Sequence, residues 1–216
     1  MNLVQLGARA WAVAERVGAR REVLGIAGPP GAGKSTLARE LVAEVERAHG
    51  AGSAAYMPLD GFHLSNVQLE RLGLTARKGS EPSFDVWGYE ALLRRVRERP
   101  AREIYVPDYD RILHEPVAAR HLVGPAARLV VTEGNYLACD LPGWREARSL
   151  MAEVWYVEAP AAVRRSRLVE RQLAGGRSAA GAEAWVEGND TPNGRLVEAS
   201  RERCDRIVCG TGPYAP

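Results

Sequence analysis

The chain has 216 residues, 46% of them hydrophobic, which is enough to bury one sizeable core in a chain somewhat longer than the commonest domain. A formal net charge of +2 on a chain that is 26% charged argues against a nucleic-acid or membrane partner held by bulk electrostatics, so any anion site has to be local. The three cysteines, Cys139, Cys204 and Cys209, lack zinc spacing and read as reduced thiols, and the presence of only two lysines, Lys34 and Lys78, among 29 basic residues singles both out for inspection.

No run of 18 apolar residues occurs, and Arg9, Glu15 and Arg16 interrupt the N-terminal apolar pattern where a signal peptide would be uninterrupted. A cytoplasmic protein with one domain over residues 1–216 is therefore expected. Leu3, Leu6, Ala10, Val13 and Val17 recur at helical spacing and predict an amphipathic helix over residues 2–18. Val23 to Ala27 is a short apolar run bounded by charge and then by Gly28-Pro29-Pro30, as in a buried parallel strand. Leu37, Leu41 and Val45, with Ala38 and Val42, form a helical stripe from Ser35 to about His49-Gly50. Residues 54–59, 103–106, 129–132, 154–157 and 206–209 are further strand candidates, most of them separated by helical patterns. That alternation predicts an α/β fold in which helices flank a mainly parallel sheet in three layers. Residues 60–86 are the least regular stretch, and in such folds irregular segments after strands line the ligand crevice.

Gly28-Pro29-Pro30-Gly31-Ala32-Gly33-Lys34-Ser35-Thr36 fits the Walker A pattern: a glycine, four free positions, then Gly-Lys-Ser/Thr. The glycines let successive backbone amides converge on phosphate oxygens, and the following helix adds its positive end. Gly28, Gly31, Ala32, Gly33, Lys34, Ser35 and Thr36 are thus the candidate nucleotide-binding residues. Lys34 supplies a compact charge to the β and γ phosphates of ATP, and the Ser35 hydroxyl is a candidate Mg²⁺ ligand. An ordinary glycine turn capping a helix is the plainer alternative.

A phosphate loop by itself leaves ATPase, GTPase, switch and kinase open. Neither lysine sits in an Asn-Lys-x-Asp guanine-reading motif, so Asp140-Leu141-Pro142-Gly143 reads as a turn and not as a GTPase switch. Asp60 and Glu133 end predicted strands, where an open sheet places its chemistry. Phosphoryl transfer needs a residue to orient or deprotonate an acceptor hydroxyl and a carboxylate near the metal, roles this pair can fill, although such residues also serve as turn formers. Arg164, Arg167 and Arg171 share a helical face ahead of Gly175-Gly176, which predicts either a lid over about residues 161–180 that neutralises transferred charge or a solvated basic face.

With these motifs in this order, the chain resembles the uridine kinase, phosphoribulokinase and pantothenate kinase family of P-loop kinases over nearly its whole length after residue 21. The resemblance is carried by Asp60-Gly61-Phe62-His63, Pro82-Ser83-Phe84-Asp85, Tyr109-Asp110-Arg111-Ile112-Leu113-His114, Val131-Thr132-Glu133-Gly134 and the stretch from Arg167 to Gln172. It implies an ATP- and Mg²⁺-dependent kinase acting on the hydroxyl of a small molecule of nucleoside, sugar or pantothenate type. It implies Asp60 as catalytic base, Glu133 with Ser35 around Mg²⁺, and Lys34, Arg167 and Arg171 on the triphosphate. It also implies Asp85 on an acceptor hydroxyl and Tyr109 and His114 on the rest of the acceptor, with His63 a further candidate. A homo-oligomer is common in the family. Gly61 and His63 stand where uridine kinases have serine and tyrosine, and Gln172 replaces the lid aspartate. Together with Arg77-Lys78-Gly79, Glu133-Gly134-Asn135-Tyr136 and Asp190-x-x-Asn193, these departures look more like a bacterial branch labelled nucleoside kinase-like or fructose-transport-associated. A phosphoribulokinase-like or other sugar kinase, and an ATP-binding regulator without acceptor turnover, are the alternatives.

Overall fold

The computed structural model describes residues 1–16, 20–99 and 101–212. Its strands are β1 (Glu22–Ala27), β2 (Ala54–Pro58), β3 (Ile104–Asp110), β4 (Glu115–Val123), β5 (Leu129–Gly134), β6 (Glu153–Glu158) and β7 (Arg206–Cys209). Its helices are α1 (Leu3–Glu15), α2 (Lys34–His49), α3 (Asn66–Arg71), α4 (Val86–Glu98), α5 (Trp144–Ser149), α6 (Ala161–Ala174), α7 (Ala179–Trp185) and α8 (Thr191–Glu198). The predicted first helix is present, and Asn2 and Gln5 close its N-terminus in a reciprocal capping box. Val17 and Gly18 at its expected end lie outside the described residues. None of the described helices is long and apolar enough to cross a membrane.

Five strands form one parallel sheet in the order β2-β5-β1-β6-β7. Every residue of β1 and β5 is buried, as a strand covered on both faces requires. Successive side chains feed opposite layers. Leu24, Ile26, Val131 and Trp155 pack with Leu6, Val13, Leu37 and Leu41 of α1 and α2, whereas Val23, Val130, Val154 and Tyr156 pack with Tyr89, Leu93, Trp144 and Ala147 of α4 and α5. At the N-terminal edge of the sheet, buried Arg21 donates to the carbonyls of Ala127, Val96 and Gly124 at 2.9, 3.1 and 2.7 Å.

One strand expectation is corrected. The segment read as a strand over 103–106 does not join the parallel sheet: it runs to Asp110 and pairs antiparallel with β4 in a two-stranded hairpin. The Asp110 carboxylate accepts from the amides of Ile112 and Leu113 and so fixes the turn. The register of the sheet has a direct functional consequence. Glu133 pairs with Pro58 of β2 and Ile26 of β1, so the ends of β1, β2 and β5 open side by side at the carboxyl edge.

Candidate active site

A cleft of about 1160 Å³ opens at that edge. One wall is the glycine segment after β1. Gly31 adopts φ +76°, and a Cβ there would lie 2.7 Å from the carbonyl of Arg164, so the loop closes against α6 only without a side chain. Gly33 caps α2 with no side chain to bond the first-turn amides, which leaves donors and the helix's positive end facing the cleft. Gly31, Gly33, Lys34, Ser35 and Thr36 line it. Gly28 and Ala32 do not; Gly28 abuts the Val157 carbonyl, and the Ala32 methyl sits in the core beneath α2, so both shape the backbone course instead.

Lys34 is 8% exposed, and its Nζ donates to the Pro29 carbonyl at 3.1 Å. Burial pulls its ammonium down to about pKa 8, against the attraction of Glu133 and Asp60. Glu133, 4% exposed, accepts a hydrogen bond of 2.8 Å from Tyr56 Oη. Burial and then the charge of Asp60 push its carboxyl upward, while Lys34 acts in the opposite sense. A buried carboxyl whose charged form is disfavoured by burial and by a second carboxylate is favoured as a carboxylate by a cation beside it. Among the described residues no cluster of three or more His, Cys, Asp or Glu side chains is set to hold a metal.

Asp60 lies in a single 3₁₀ turn, Leu59–Phe62, directly after β2, about one-third exposed, with Arg111 of the β3–β4 turn 3.5 Å away. The next residue has no freedom of identity: a Cβ on Gly61 would stand 2.4 Å from the backbone of Pro107. The approach of the hairpin is thus a physical reason for glycine at position 61, where uridine kinases have serine. His63 Nδ1 lies 2.8 Å from the Asp60 carbonyl, which makes Nδ1 the protonated nitrogen and Nε2 the acceptor. The imidazole is flanked by Phe84, centroids 4.0 Å apart, and by Tyr109 at 4.9 Å, and burial keeps it below the ordinary histidine range and hence neutral.

On the opposite side, α6 carries the arginines. Arg167 Nη1 donates to the carbonyls of Gly31 and Gly210, both at 3.1 Å, and Arg171 Nη2 lies 3.7 Å from Asp190. Both side chains line the cleft. Arg164 does not share their outlook, because it turns to the Ala159 carbonyl and to Glu198 of α8.

Of the residues singled out from sequence, Lys34, Ser35, Thr36, Asp60, His63, Tyr109, His114, Glu133, Arg167 and Arg171 thus share one cleft. Asp85, like Gly28, Ala32 and Arg164, does not line it. Asp85 is exposed and caps α4 by accepting from the Gly88 amide at 2.9 Å. His114 sits at φ +54° with an exposed ring, and its carbonyl accepts from Lys78 and Asn66. Sequence reasoning missed Tyr56 and Arg111. For Arg111 a signal existed, since it lies within the stretch Tyr109 to His114 that carries the family resemblance. For Tyr56 there was none, because its bond to Glu133 depends on β2 lying beside β5.

Chemically, one end of the cleft offers open helix amides, Lys34, Arg167 and Arg171, which suits a polyanion. The other offers Asp60, a neutral histidine and a tyrosine, which suits a hydroxylic ligand.

No protein-family model matches the chain. Over 195 residues it is 34% identical to a Schizosaccharomyces pombe protein named "Putative uridine kinase C227.14", covering 88% of this chain and 83% of the relative. Over 122 residues it is 36% identical to a pantothenate kinase of Leifsonia xyli subsp. xyli, covering 56% of this chain and 37% of that one. A solved structure from Silicibacter sp. TM1040, described as a "putative fructose transport system kinase", matches with a TM-score of 0.87 at 35% identity over 96% of this chain and 99% of that chain. The fold, the glycine loop and these likenesses agree: the chain belongs to the uridine kinase, phosphoribulokinase and pantothenate kinase family of P-loop kinases, which act on small molecules.

Proposed function

We propose that the chain transfers the γ-phosphoryl group of ATP, with Mg²⁺, to an alcohol of a nucleoside-, sugar- or pantothenate-like acceptor. The observation that carries this reading is the opposition, across one cleft, of buried Lys34 on the glycine loop and Asp60 at the end of the adjacent strand. The names of the relatives, uridine kinase, pantothenate kinase and fructose transport system kinase, support the acceptor class.

In this reading the amides around Gly31 and Gly33 and the Lys34 ammonium hold the β and γ phosphates. Asp60 accepts the proton of the acceptor hydroxyl as its oxygen bonds to the γ phosphorus and the bond from that phosphorus to the β–γ bridging oxygen breaks, releasing ADP, and Arg111 keeps that carboxylate in place. Arg167 and Arg171 balance the charge on the phosphates and close water out. Hard oxygen donors at Ser35 and Glu133 fit Mg²⁺, which binds through one or two protein groups plus phosphate oxygens and water. When bound, the metal would neutralise charge on the phosphates.

Tyr56 then acts as a positioning residue for Glu133. Tyr56→Phe is expected to lower kcat about 10-fold and to raise the Mg²⁺ concentration giving half-maximal rate, with KM for ATP little changed. A magnesium titration at saturating ATP checks this, and an unaltered magnesium dependence would remove Tyr56 from the role.

The reading itself is tested by incubating the protein with ATP, Mg²⁺ and a panel of nucleosides, sugars, sugar acids and pantothenate, and following phosphorylated products by mass spectrometry. Phosphorylation of at least one acceptor supports it. ATP binding with every acceptor left intact would make the chain a nucleotide-binding regulator instead.

A further inference from the structure

The motifs Arg77-Lys78-Gly79 and Asp190-x-x-Asn193 have no role in the phosphate chemistry above, yet they are bound to each other. Pro192 has no amide hydrogen for the carbonyl four residues before it, Gly188. The helix accordingly enters α8 through a π-helical turn, Val186–Asp190, and the Gly188 carbonyl accepts from Arg77 Nη1 at 3.1 Å. Arg77 Nη2 also reaches Asn193 Oδ1 at 3.4 Å. Asn189 Nδ2 donates to the Lys78 carbonyl at 2.8 Å, and Asn193 Nδ2 to the Gly79 carbonyl at 3.4 Å. Tyr136 Oη, from the segment after β5, donates to the same Gly79 carbonyl at 2.7 Å. Three consecutive residues in an otherwise irregular stretch are thereby strapped down by side chains from two distant parts of the chain.

The residue in the middle of the strap is one of the chain's two lysines, and both lysines line the same cleft. Lys78 Nζ donates to the His114 carbonyl at 2.6 Å and to Asn66 Oδ1, and it lies over the Tyr109 ring, 5.2 Å from the centroid. These partners are neutral. Among the described residues no carboxylate lies within 4.0 Å of this ammonium, whereas Arg111, the neighbouring cation on the same side, is paired with Asp60. Glu115 is the carboxylate nearest in effect; its oxygens are engaged by the Asn66 amide at 3.1 Å. A half-buried ammonium held by dipoles and an aromatic face, with no carboxylate in direct contact, is arranged to meet an anion. Tyr109 packs in turn against His63, whose Nδ1 is bound to the Asp60 carbonyl, so this charge stands on the Asp60 side of the cleft.

We infer that Lys78 receives a carboxylate or phosphate group on the acceptor, so that the molecule phosphorylated is an anionic alcohol and not a neutral nucleoside or sugar. The inference rests on the kinase reading for its word acceptor, and on the strap and the cleft for its chemistry. Lysine suits the task because a compact ammonium can keep its two neutral partners and give its third hydrogen to an incoming oxygen, whereas a guanidinium would need a planar pairing the site does not provide.

The test uses calorimetry on protein saturated with Mg²⁺ and a non-hydrolysable ATP analogue, which occupies the phosphate loop and leaves only the acceptor side to be probed. Matched pairs are titrated: glycerate against glycerol, and ribose 5-phosphate against ribose. The wild type is expected to bind the anionic member of at least one pair 10- to 100-fold more tightly than the neutral one, the range for one charge-assisted hydrogen bond. Which pair shows the preference tells carboxylate from phosphate. Lys78→Met, which keeps the stem on Tyr109 but not the charge, is expected to abolish the preference, and Lys78→Arg to retain part of it. Anionic probes that bind no better than their neutral partners, or a preference that survives in Lys78→Met, would overturn the inference. Since binding is read without turnover, a protein that shows the preference but phosphorylates nothing would defeat the kinase reading and leave the anion subsite standing.

Discussion

Asp60→Asn is expected to lower kcat for acceptor phosphorylation by about 10³-fold, within the range for loss of a general base, while the Kd for ATP stays within about threefold. The substitution keeps the size and one oxygen of the side chain, so the turn over Leu59–Phe62, the glycine at 61 and the His63 bond to the Asp60 carbonyl are all retained. What is lost is the proton acceptor, together with the ion pair to Arg111. A negative charge is also removed near the proposed triphosphate site, so triphosphate binding has no electrostatic reason to weaken. Rapid-quench turnover measured alongside an ATP titration separates the two effects. Turnover equal to wild type would take Asp60 out of the mechanism.

Lys34→Ala is expected to slow transfer about 10²- to 10³-fold, since it removes a charged donor at the phosphate being transferred. It should do so without destabilising the ligand-free protein. The wild-type ammonium is buried with its pKa drawn down to about 8, so the folded state bears a cost for holding it charged. The sign of the linkage follows. Between about pH 8 and the ordinary lysine range the unfolded chain binds more protons at this residue than the folded one, so its contribution to stability grows as pH rises through that window and is lost as pH falls through the folded value. Nucleotide acts in the reverse direction, because a triphosphate favours the ammonium. ATP affinity should be flat below pH 7.5 and fall up to about tenfold per unit above pH 8, with proton uptake on binding in that range. Titration calorimetry in two buffers of different ionisation enthalpy reads this uptake. Binding that releases or exchanges no proton near pH 8 would contradict the assignment of Lys34 as the phosphate lysine.

Much of the framework was legible because it is encoded locally. The apolar runs at 23–27, 129–132 and 154–157 are short, bounded by turn or charged residues, and buried on both faces, and the glycine loop announces itself by spacing alone. The hairpin was not. Eight of the nine residues of β4 are at least partly exposed, so its sequence carries neither an apolar run nor a clean alternation, and its partner β3 was read only as far as residue 106. The hairpin nevertheless supplies Tyr109 and Arg111 and makes glycine obligatory at position 61. Asp85 shows a different limit. An aspartate that opens a helix and one that grips a ligand look the same along the chain, and only the bond to the Gly88 amide distinguishes them. Tyr56 and the strap around Lys78 depend on which strands and loops become neighbours, and no local pattern contains that information.

A structure of the protein with Mg²⁺ and a non-hydrolysable ATP analogue bears most directly on the central claim. The account predicts β and γ phosphates wrapped by the amides of residues 28–36 and Lys34, with the terminal phosphorus facing the Asp60 carboxylate across the acceptor pocket. A triphosphate seated away from that loop, or a γ phosphate pointing away from Asp60 with no room for a hydroxyl between them, would contradict it.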